Sequence, residues 1–114
     1  MTEGLAESLL QAVAADNAVS NGIRDAKILI ADDDPLSRRL LVGILQKQNF
    51  SNLQVAEGGV AALELLHSFR PDLVLLDMQM PDIGGLEVCR AARAHPDSVD
   101  IPILVQTATV NRRE

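Results

Sequence analysis

The stretch Leu73-Val74-Leu75-Leu76-Asp77 decides how this chain folds. Four consecutive large apolar residues predict a strand that is buried on both faces, as in a parallel sheet. Pro81 cannot continue a central strand, so the chain must turn there and leave Asp77 at the rim of the sheet. Open α/β sheets bind ligands outside the carboxyl ends of their strands, so we predict that Asp77 lies at a ligand site.

Three more short apolar segments alternate with helical patterns. We predict strands at 27–31, 53–56 and 101–107, and helices from Pro35 to about Gln48, from Gly58 to about Phe69 and from Leu86 to about His95. Such alternation is typical of an α/β fold, a doubly wound parallel sheet with helices on both faces. No Gly-x-Gly-x-x-Gly follows the first strand, so a dinucleotide-binding fold has no support.

Length and composition predict one small domain with an aliphatic core. The chain has 114 residues, of which only 2% are aromatic, and its net charge of −6 argues against nucleic-acid binding. Cys89 is the only cysteine, so we expect no disulfide and no cysteine metal site, and a small buried side chain at this position. No apolar run is long enough to cross a membrane and no signal peptide is evident, so a cytoplasmic location is the default expectation.

The first 25 residues differ in pattern from the rest. Residues 2–16 carry an apolar stripe at helical spacing, formed by Leu5, Leu9, Ala12 and Val13. Polar and glycine residues follow, so we predict a helical N-terminal extension and linker over 1–25 and a compact domain over 26–114. A frayed extension is an equal alternative.

Polar residues follow three of the predicted strands: Asp32-Asp33-Asp34, Asp77 and Thr107. Because the carboxyl ends of parallel strands share one edge, we expect these residues to meet in one pocket. Carboxylates held close together repel one another unless a cation neutralises them, and Mg²⁺ prefers such oxygen ligands. A carboxylate beside such an ion can attack phosphorus, while a hydroxyl and backbone N–H groups hold the phosphoryl oxygens.

Each part of this pocket also has a simpler structural explanation. An aspartate triplet before Pro35 is typical of a capped helix start, and Thr107 is a common strand residue. A charge that ends a wholly apolar strand is harder to explain, so Asp77 is the strongest candidate. His67 and His95 show no partner pattern in the sequence, so we expect them to be surface residues.

Together these motifs resemble the receiver domain of two-component response regulators. The matching segments are the first strand with its acidic pair, the phosphoacceptor motif and the fourth strand with its Thr-Ala pair, which here are 28–35, 75–81 with Gly85, and 102–108. The resemblance covers Ala26 to about Asn111. It implies a flavodoxin-like (CheY-like) fold in a cytoplasmic signalling protein.

The resemblance implies a role for each residue of the pocket. Asp77 would accept a phosphoryl group from a sensor histidine kinase or phosphotransfer protein. Asp33, Asp77 and the backbone carbonyl of Gln79 would bind Mg²⁺, and Asp32 would do so through a water molecule.

Other residues would act on the phosphoryl group itself. The Thr107 hydroxyl and the backbone N–H groups of Met78 and Ala108 would hold it, and Thr107 would move on activation. The side chains of Gln79 and Thr109 would tune how fast water removes it.

The resemblance covers about four of the family's five strands. The family continues with a fourth helix, a fifth strand that carries a lysine and an aromatic residue, and a fifth helix, whereas this sequence stops at Glu114. We therefore expect a C-terminally truncated receiver, a fragment of a longer regulator in preference to a proteolysed product or a natural short form. An exposed fourth strand, or the helix over 2–16, would then favour a homodimer.

Three functions are compatible with these residues. The first is a phosphoacceptor switch that controls an output domain; it is not an enzyme in the usual sense, although it would catalyse its own phosphotransfer and dephosphorylation. The second is a non-phosphorylated pseudo-receiver that serves as an interaction or dimerisation module, which the missing lysine favours. The third, an aspartyl phosphatase, ranks lowest because Gln79 stands where that class needs a second aspartate. We expect no nucleic acid or membrane partner for this segment.

Overall fold

The computed structural model describes residues 25–106, which form a four-stranded sheet with three helices. The elements in chain order are β1 (Ile28–Ala31), α1 (Pro35–Lys47), β2 (Leu53–Ala56), α2 (Gly59–Ser68), β3 (Leu73–Asp77), α3 (Gly85–Ala94) and β4 (Ile103–Gln106). The strands lie in the order β2-β1-β3-β4, and every neighbouring pair is parallel. The predicted doubly wound parallel α/β class is confirmed. The predicted helix over 2–16 and its linker lie outside the described residues.

The central strands β1 and β3 are buried along their whole length. Because side chains alternate across a strand, the two strands contribute to two separate cores. Ile28 and Ile30 pack with Leu41 and Leu45 of α1 on one face, whereas Leu29 belongs to the core formed with α2 and α3 on the other. Burying one aliphatic side chain of this size contributes about 1.5–3 kcal/mol to the stability of the fold, so the two cores together hold the sheet edge in place.

The first helix begins as the sequence predicts. Asp34 is the N-cap, since its Oδ1 accepts a hydrogen bond from the N–H of Leu36 at 3.2 Å, and Pro35 occupies the first helical position. The helix ends before Asn49, whose φ of 73° lies in the left-handed region. The direction of α1 is therefore fixed directly after the acidic triplet.

The fourth strand is shorter at its start than the predicted range of 101–107. It begins at Ile103, because Pro102 has no N–H to donate and contributes only its carbonyl, which accepts from the N–H of Val74 at 3.0 Å. The structure describes this strand as far as Gln106, where it forms one edge of the described sheet.

Cys89 is half-buried, packed against the core of α2 and α3, and so less enclosed than predicted. Within residues 25–106, none of the helices combines the length and the apolar character that crossing a membrane requires.

Candidate acidic site at the carboxyl edge of the sheet

Two adjacent parallel strands bring three carboxylates together. The register of β1 against β3 pairs Ala31 with Leu76, so the residues that follow, Asp32 and Asp77, lie at the same level of the sheet edge. One carboxylate oxygen from each of Asp32, Asp33 and Asp77 lies within 4.8 Å of the other two. The pocket expected from the sequence therefore exists for these three residues.

The carboxylate of Asp77 is enclosed and only half satisfied. Its side chain is 1% exposed, and its Oδ1 accepts a hydrogen bond from the backbone N–H of Gln79 at 3.1 Å. Its Oδ2 is buried and has no hydrogen-bond partner among the residues that the structure describes. An unpartnered buried carboxylate oxygen is destabilising unless a ligand supplies a charge or a donor, so this atom points to a ligand.

The second buried carboxylate has a strongly shifted pKa. Burial, together with the negative charges of Asp77 and Asp33, raises the pKa of Asp32 from 3.8 to about 6. The backbone N–H of Asp34 opposes this shift, since it donates to Asp32 Oδ1 at 2.9 Å. Near neutral pH the pocket therefore holds negative charge that a proton or a cation would relieve.

The ligand set fits a hard divalent cation. All three side chains offer oxygen only, and Mg²⁺ is commonly held by one or two carboxylates while it keeps several waters. Asp32 and Asp77 are buried whereas Asp33 is exposed, so one side of the pocket faces solvent and leaves room for such waters. Gln79 is held beside Asp77 by the hydrogen bond from its N–H.

A cation from α1 contacts the backbone beside this pocket, a contact that the sequence analysis did not predict. Arg38 Nη1 donates to the backbone carbonyl of Asp32 at 2.7 Å, and its Nη2 lies 3.8 Å from Glu57 Oε2. The Arg38 side chain is 15% exposed, so it fixes the loop between β1 and α1. The available signal was its place in the first turns of a helix that starts directly after the aspartates.

The loop after Asp77 is tied to the start of α2. The N-cap of that helix, Gly58, has no side chain, and the carboxylate of Asp82 takes over by accepting from the N–H groups of Gly59 at 2.9 Å and Val60 at 3.1 Å. These backbone hydrogen bonds lower the pKa of Asp82 to about 2. Nothing in the local sequence predicts this contact, because the partners are more than twenty residues apart.

Replacing Asp82 by alanine is expected to destabilise the chain and expose the first turn of α2. A carboxylate with a lowered pKa stabilises the fold above its ordinary value of 3.8, and this contribution is lost as the pH falls towards 2. The difference in the free energy of unfolding between wild type and variant, measured with urea, should therefore be present at about pH 5 and shrink towards about pH 2. The exposed carboxylate Asp100, changed to alanine, is the control; an equal loss there would contradict the assignment.

Other predicted site residues are only partly placed. Met78 is half-buried in the loop after β3, and its carbonyl accepts from the N–H of Gly85 at 3.1 Å. Thr107, Ala108 and Thr109 lie outside the described residues, so their predicted roles stay predictions.

The two histidines lie at the surface as predicted and contact each other. His67 is exposed, the His95 side chain is 47% exposed, and the centroids of the two rings are 4.5 Å apart. No pattern in the sequence indicated this contact.

A doubly wound parallel sheet with an acidic pocket at the ends of its central strands has its candidate site where open α/β sheets bind their ligands. Residues 28–114 match the family model of the response regulator receiver domain, and the chain belongs to this family. Receiver domains take part in two-component signalling and generally use Mg²⁺ at an acidic site. The resemblance inferred from the sequence is thus confirmed.

Individual relatives agree with this assignment. The chain is 46% identical over 82 residues to the response regulator MprA of Mycobacterium sp. (strain KMS), and 45% identical to that of Mycobacterium avium (strain 104). These matches cover 72% of this chain but only 34% and 35% of the relatives, so the chain spans about a third of their length.

Solved structures show the same fold. The N-terminal domain of a response regulator receiver protein from Methanoculleus marisnigri JR1 has a TM-score of 0.69 at 35% identity, covering 73% of this chain and 67% of that one. The signal receiver domain of a histidine kinase from Syntrophus aciditrophicus has a TM-score of 0.68 at 32% identity, covering 72% and 61%.

Proposed function

We propose that Asp77 accepts a phosphoryl group from a sensor histidine kinase or phosphotransfer protein in a Mg²⁺-dependent reaction. The observation that carries the proposal is the buried Asp77 carboxylate, whose Oδ2 has no partner within the described part of the chain. Asp32 and Asp33 lie close enough to share a cation with it. Family membership supports the same role.

Each residue around Asp77 has a separate role in the proposed reaction. Asp33, Asp77 and the backbone carbonyl of Gln79 would hold Mg²⁺, with Asp32 contributing through a water molecule. When bound, the ion would neutralise negative charge on the carboxylates and the phosphoryl group. The Gln79 N–H orients the Asp77 carboxylate. That carboxylate attacks phosphorus as the bond from phosphorus to the donor imidazole breaks, and the imidazole retains the electron pair.

The remaining predicted residues stabilise and time the modified state. The hydroxyl of Thr107 and the backbone N–H groups of Met78 and Ala108 hold the phosphoryl oxygens, and Thr107 moves on activation. The side chains of Gln79 and Thr109 set how fast the phosphoryl group is hydrolysed, because they control the access of water to it. The chain thus acts as a switch that catalyses its own modification, and it does not turn over an external metabolite.

The wider context of the proposal follows the family. Residues 26–114 form the receiver, which controls an output domain, and 1–25 an extension. The site of action is the cytoplasm, with neither nucleic acid nor membrane as a partner of this segment. Pairing through β4 or through residues 2–16 would give a homodimer. Sedimentation of the chain with and without residues 1–20 would measure the oligomeric state and so test the second route.

Incubation with acetyl phosphate and Mg²⁺ is expected to add one phosphoryl group to the wild-type chain and none to Asp77→Asn, as read by intact mass. Chelation of Mg²⁺ should abolish the addition, because the carboxylates then repel the anionic donor. Asp100→Asn, an exposed carboxylate elsewhere, should behave as wild type.

Two results would contradict this proposal. A phosphoryl group that persists in Asp77→Asn would exclude Asp77 as the acceptor. A wild-type chain that stays folded and unmodified with both acetyl phosphate and a phosphorylated donor protein would favour the pseudo-receiver alternative.

A further inference from the structure

We propose that His67, His95 and Asp97 form a second metal site, which takes a divalent transition ion such as Zn²⁺. One histidine or carboxylate ligand atom from each residue lies within 4.8 Å of the other two. The cluster is at the opposite edge of the sheet from Asp77, because His67 is in the last turn of α2 and His95 caps the end of α3. It is therefore separate from the proposed phosphoacceptor pocket.

The geometry of the cluster is close to that of a coordination sphere. The two imidazole rings meet edge to face, with centroids 4.5 Å apart and an interplanar angle of 67°. Zinc bonds of about 2.1 Å place tetrahedral ligands about 3.4 Å apart, so the ligand atoms need to close by at most about 1.4 Å. The side chains of His95 and Asp97 are 47% and 43% exposed and can move by that amount.

The local backbone holds the ligands in this arrangement. His95 Nδ1 accepts a long hydrogen bond from the N–H of Asp97 at 3.3 Å and lies 3.9 Å from Asp97 Oδ2, which keeps the two side chains together; a metal ion at Nδ1 would replace this hydrogen bond. The C-terminal ends of α2 and α3 both lie at the cluster, and helix C-termini carry partial negative charge. A cation is therefore favoured there beyond the charge of Asp97 itself.

The guanidinium of Arg70 forms an ion pair with Asp97, at the place that a metal ion would take. Its Nη2 lies 3.0 Å from Asp97 Oδ2, and its side chain is 60% exposed, so it can swing into solvent when a metal binds. Removing this competing positive charge is expected to tighten metal binding. Arg70→Ala should therefore raise the metal affinity, whereas loss of a ligand should lower it.

The ligand types select the class of metal. Two imidazole nitrogens and one carboxylate suit Zn²⁺, with water in the fourth position, whereas Mg²⁺ prefers an all-oxygen set. Metal coordination requires neutral imidazoles, so protons compete with the ion for the two histidines. The same preference allows the two sites to be separated by saturating the acidic pocket with Mg²⁺.

The test is a Zn²⁺ titration of the chain in excess Mg²⁺, followed by the imidazole signals in NMR spectra. The chain has only two histidines, so both signals can be assigned from single variants. We expect both signals to shift together and saturate at one equivalent. His67→Gln and His95→Gln should each weaken binding by about tenfold or more, and Arg70→Ala should strengthen it by a few-fold.

The controls separate this site from the acidic pocket and from misfolding. Asp33→Asn should leave the zinc affinity of the imidazoles unchanged, and backbone amide spectra should show that each exposed-residue variant is folded. The proposal is overturned if zinc shifts neither imidazole, if the two signals titrate independently, or if either histidine variant retains wild-type affinity.

Discussion

Replacing Asp32 by asparagine is expected to stabilise the folded chain by about 2–3 kcal/mol near pH 7.5 in the absence of divalent metal. The pKa of Asp32 is raised from 3.8 to about 6, because the folded state binds the proton more tightly than the unfolded state does. The stabilisation of the folded state by this proton is complete below pH 3.8 and is lost as the pH rises through about 6. Asparagine stays neutral and keeps the oxygen that accepts the Asp34 N–H.

Urea unfolding over a series of pH values, with a chelator present, measures this effect. The two unfolding free energies should be nearly equal around pH 3.5 and diverge steadily to about pH 7. Mg²⁺ should narrow the gap, since it stabilises a folded state whose carboxylates bind it. Asp100→Asn is the matched control and should show no such divergence; a pH-independent gap for Asp32→Asn would refute the argument.

Replacing Gly85 by alanine is expected to lower the free energy of unfolding by about 1–3 kcal/mol and to slow phosphoryl incorporation. A Cβ at this position would lie 2.6 Å from the carbonyl oxygen of Asp77 and 2.8 Å from the Cα of Met78. Both atoms belong to the backbone, so α3 or the end of β3 must shift. Either shift displaces the Asp77 carboxylate and the Met78 N–H from their positions in the proposed site.

The neighbouring Gly84 provides the control. Among residues 25–106, a Cβ there would meet only the carbonyl oxygen of Met78, at an ordinary 3.5 Å, and the Gly84 φ of −70° is open to any residue. Gly84→Ala should therefore cost less than about 1 kcal/mol, the loss of a favourable N-cap residue, and leave acetyl phosphate kinetics almost unchanged. Equal losses for the two variants would show that the close approach of Gly85 is not decisive.

The parts of the fold that depend on short-range pattern were predictable. The run of apolar residues before Asp77 indicates a strand buried on both faces, and the structure buries all of β3. The meeting of Asp32 with Asp77 follows from topology alone, because parallel neighbours end at the same edge. Asp34 as N-cap follows from the chemistry of the Asp-Pro pair.

Contacts between distant segments were not predictable from one sequence. His67 lies in α2 and His95 caps the end of α3, so only the packing of α2 beside α3 brings their rings together. The same holds for Asp82, whose partners on α2 precede it by more than twenty residues. A side chain's partner can be read from sequence when it is local or set by strand register, and otherwise depends on helix packing.

The cap that Asp82 provides makes the start of α2 a reporter on the loop beside Asp77. When that loop moves away, the amide hydrogens of Gly59 and Val60 lose their acceptor together and become open to exchange with solvent. Their exchange rates therefore measure how often the loop detaches, without a probe attached to the site itself. Comparing these two rates before and after acetyl phosphate treatment would show whether modification at one strand end is felt at the neighbouring helix.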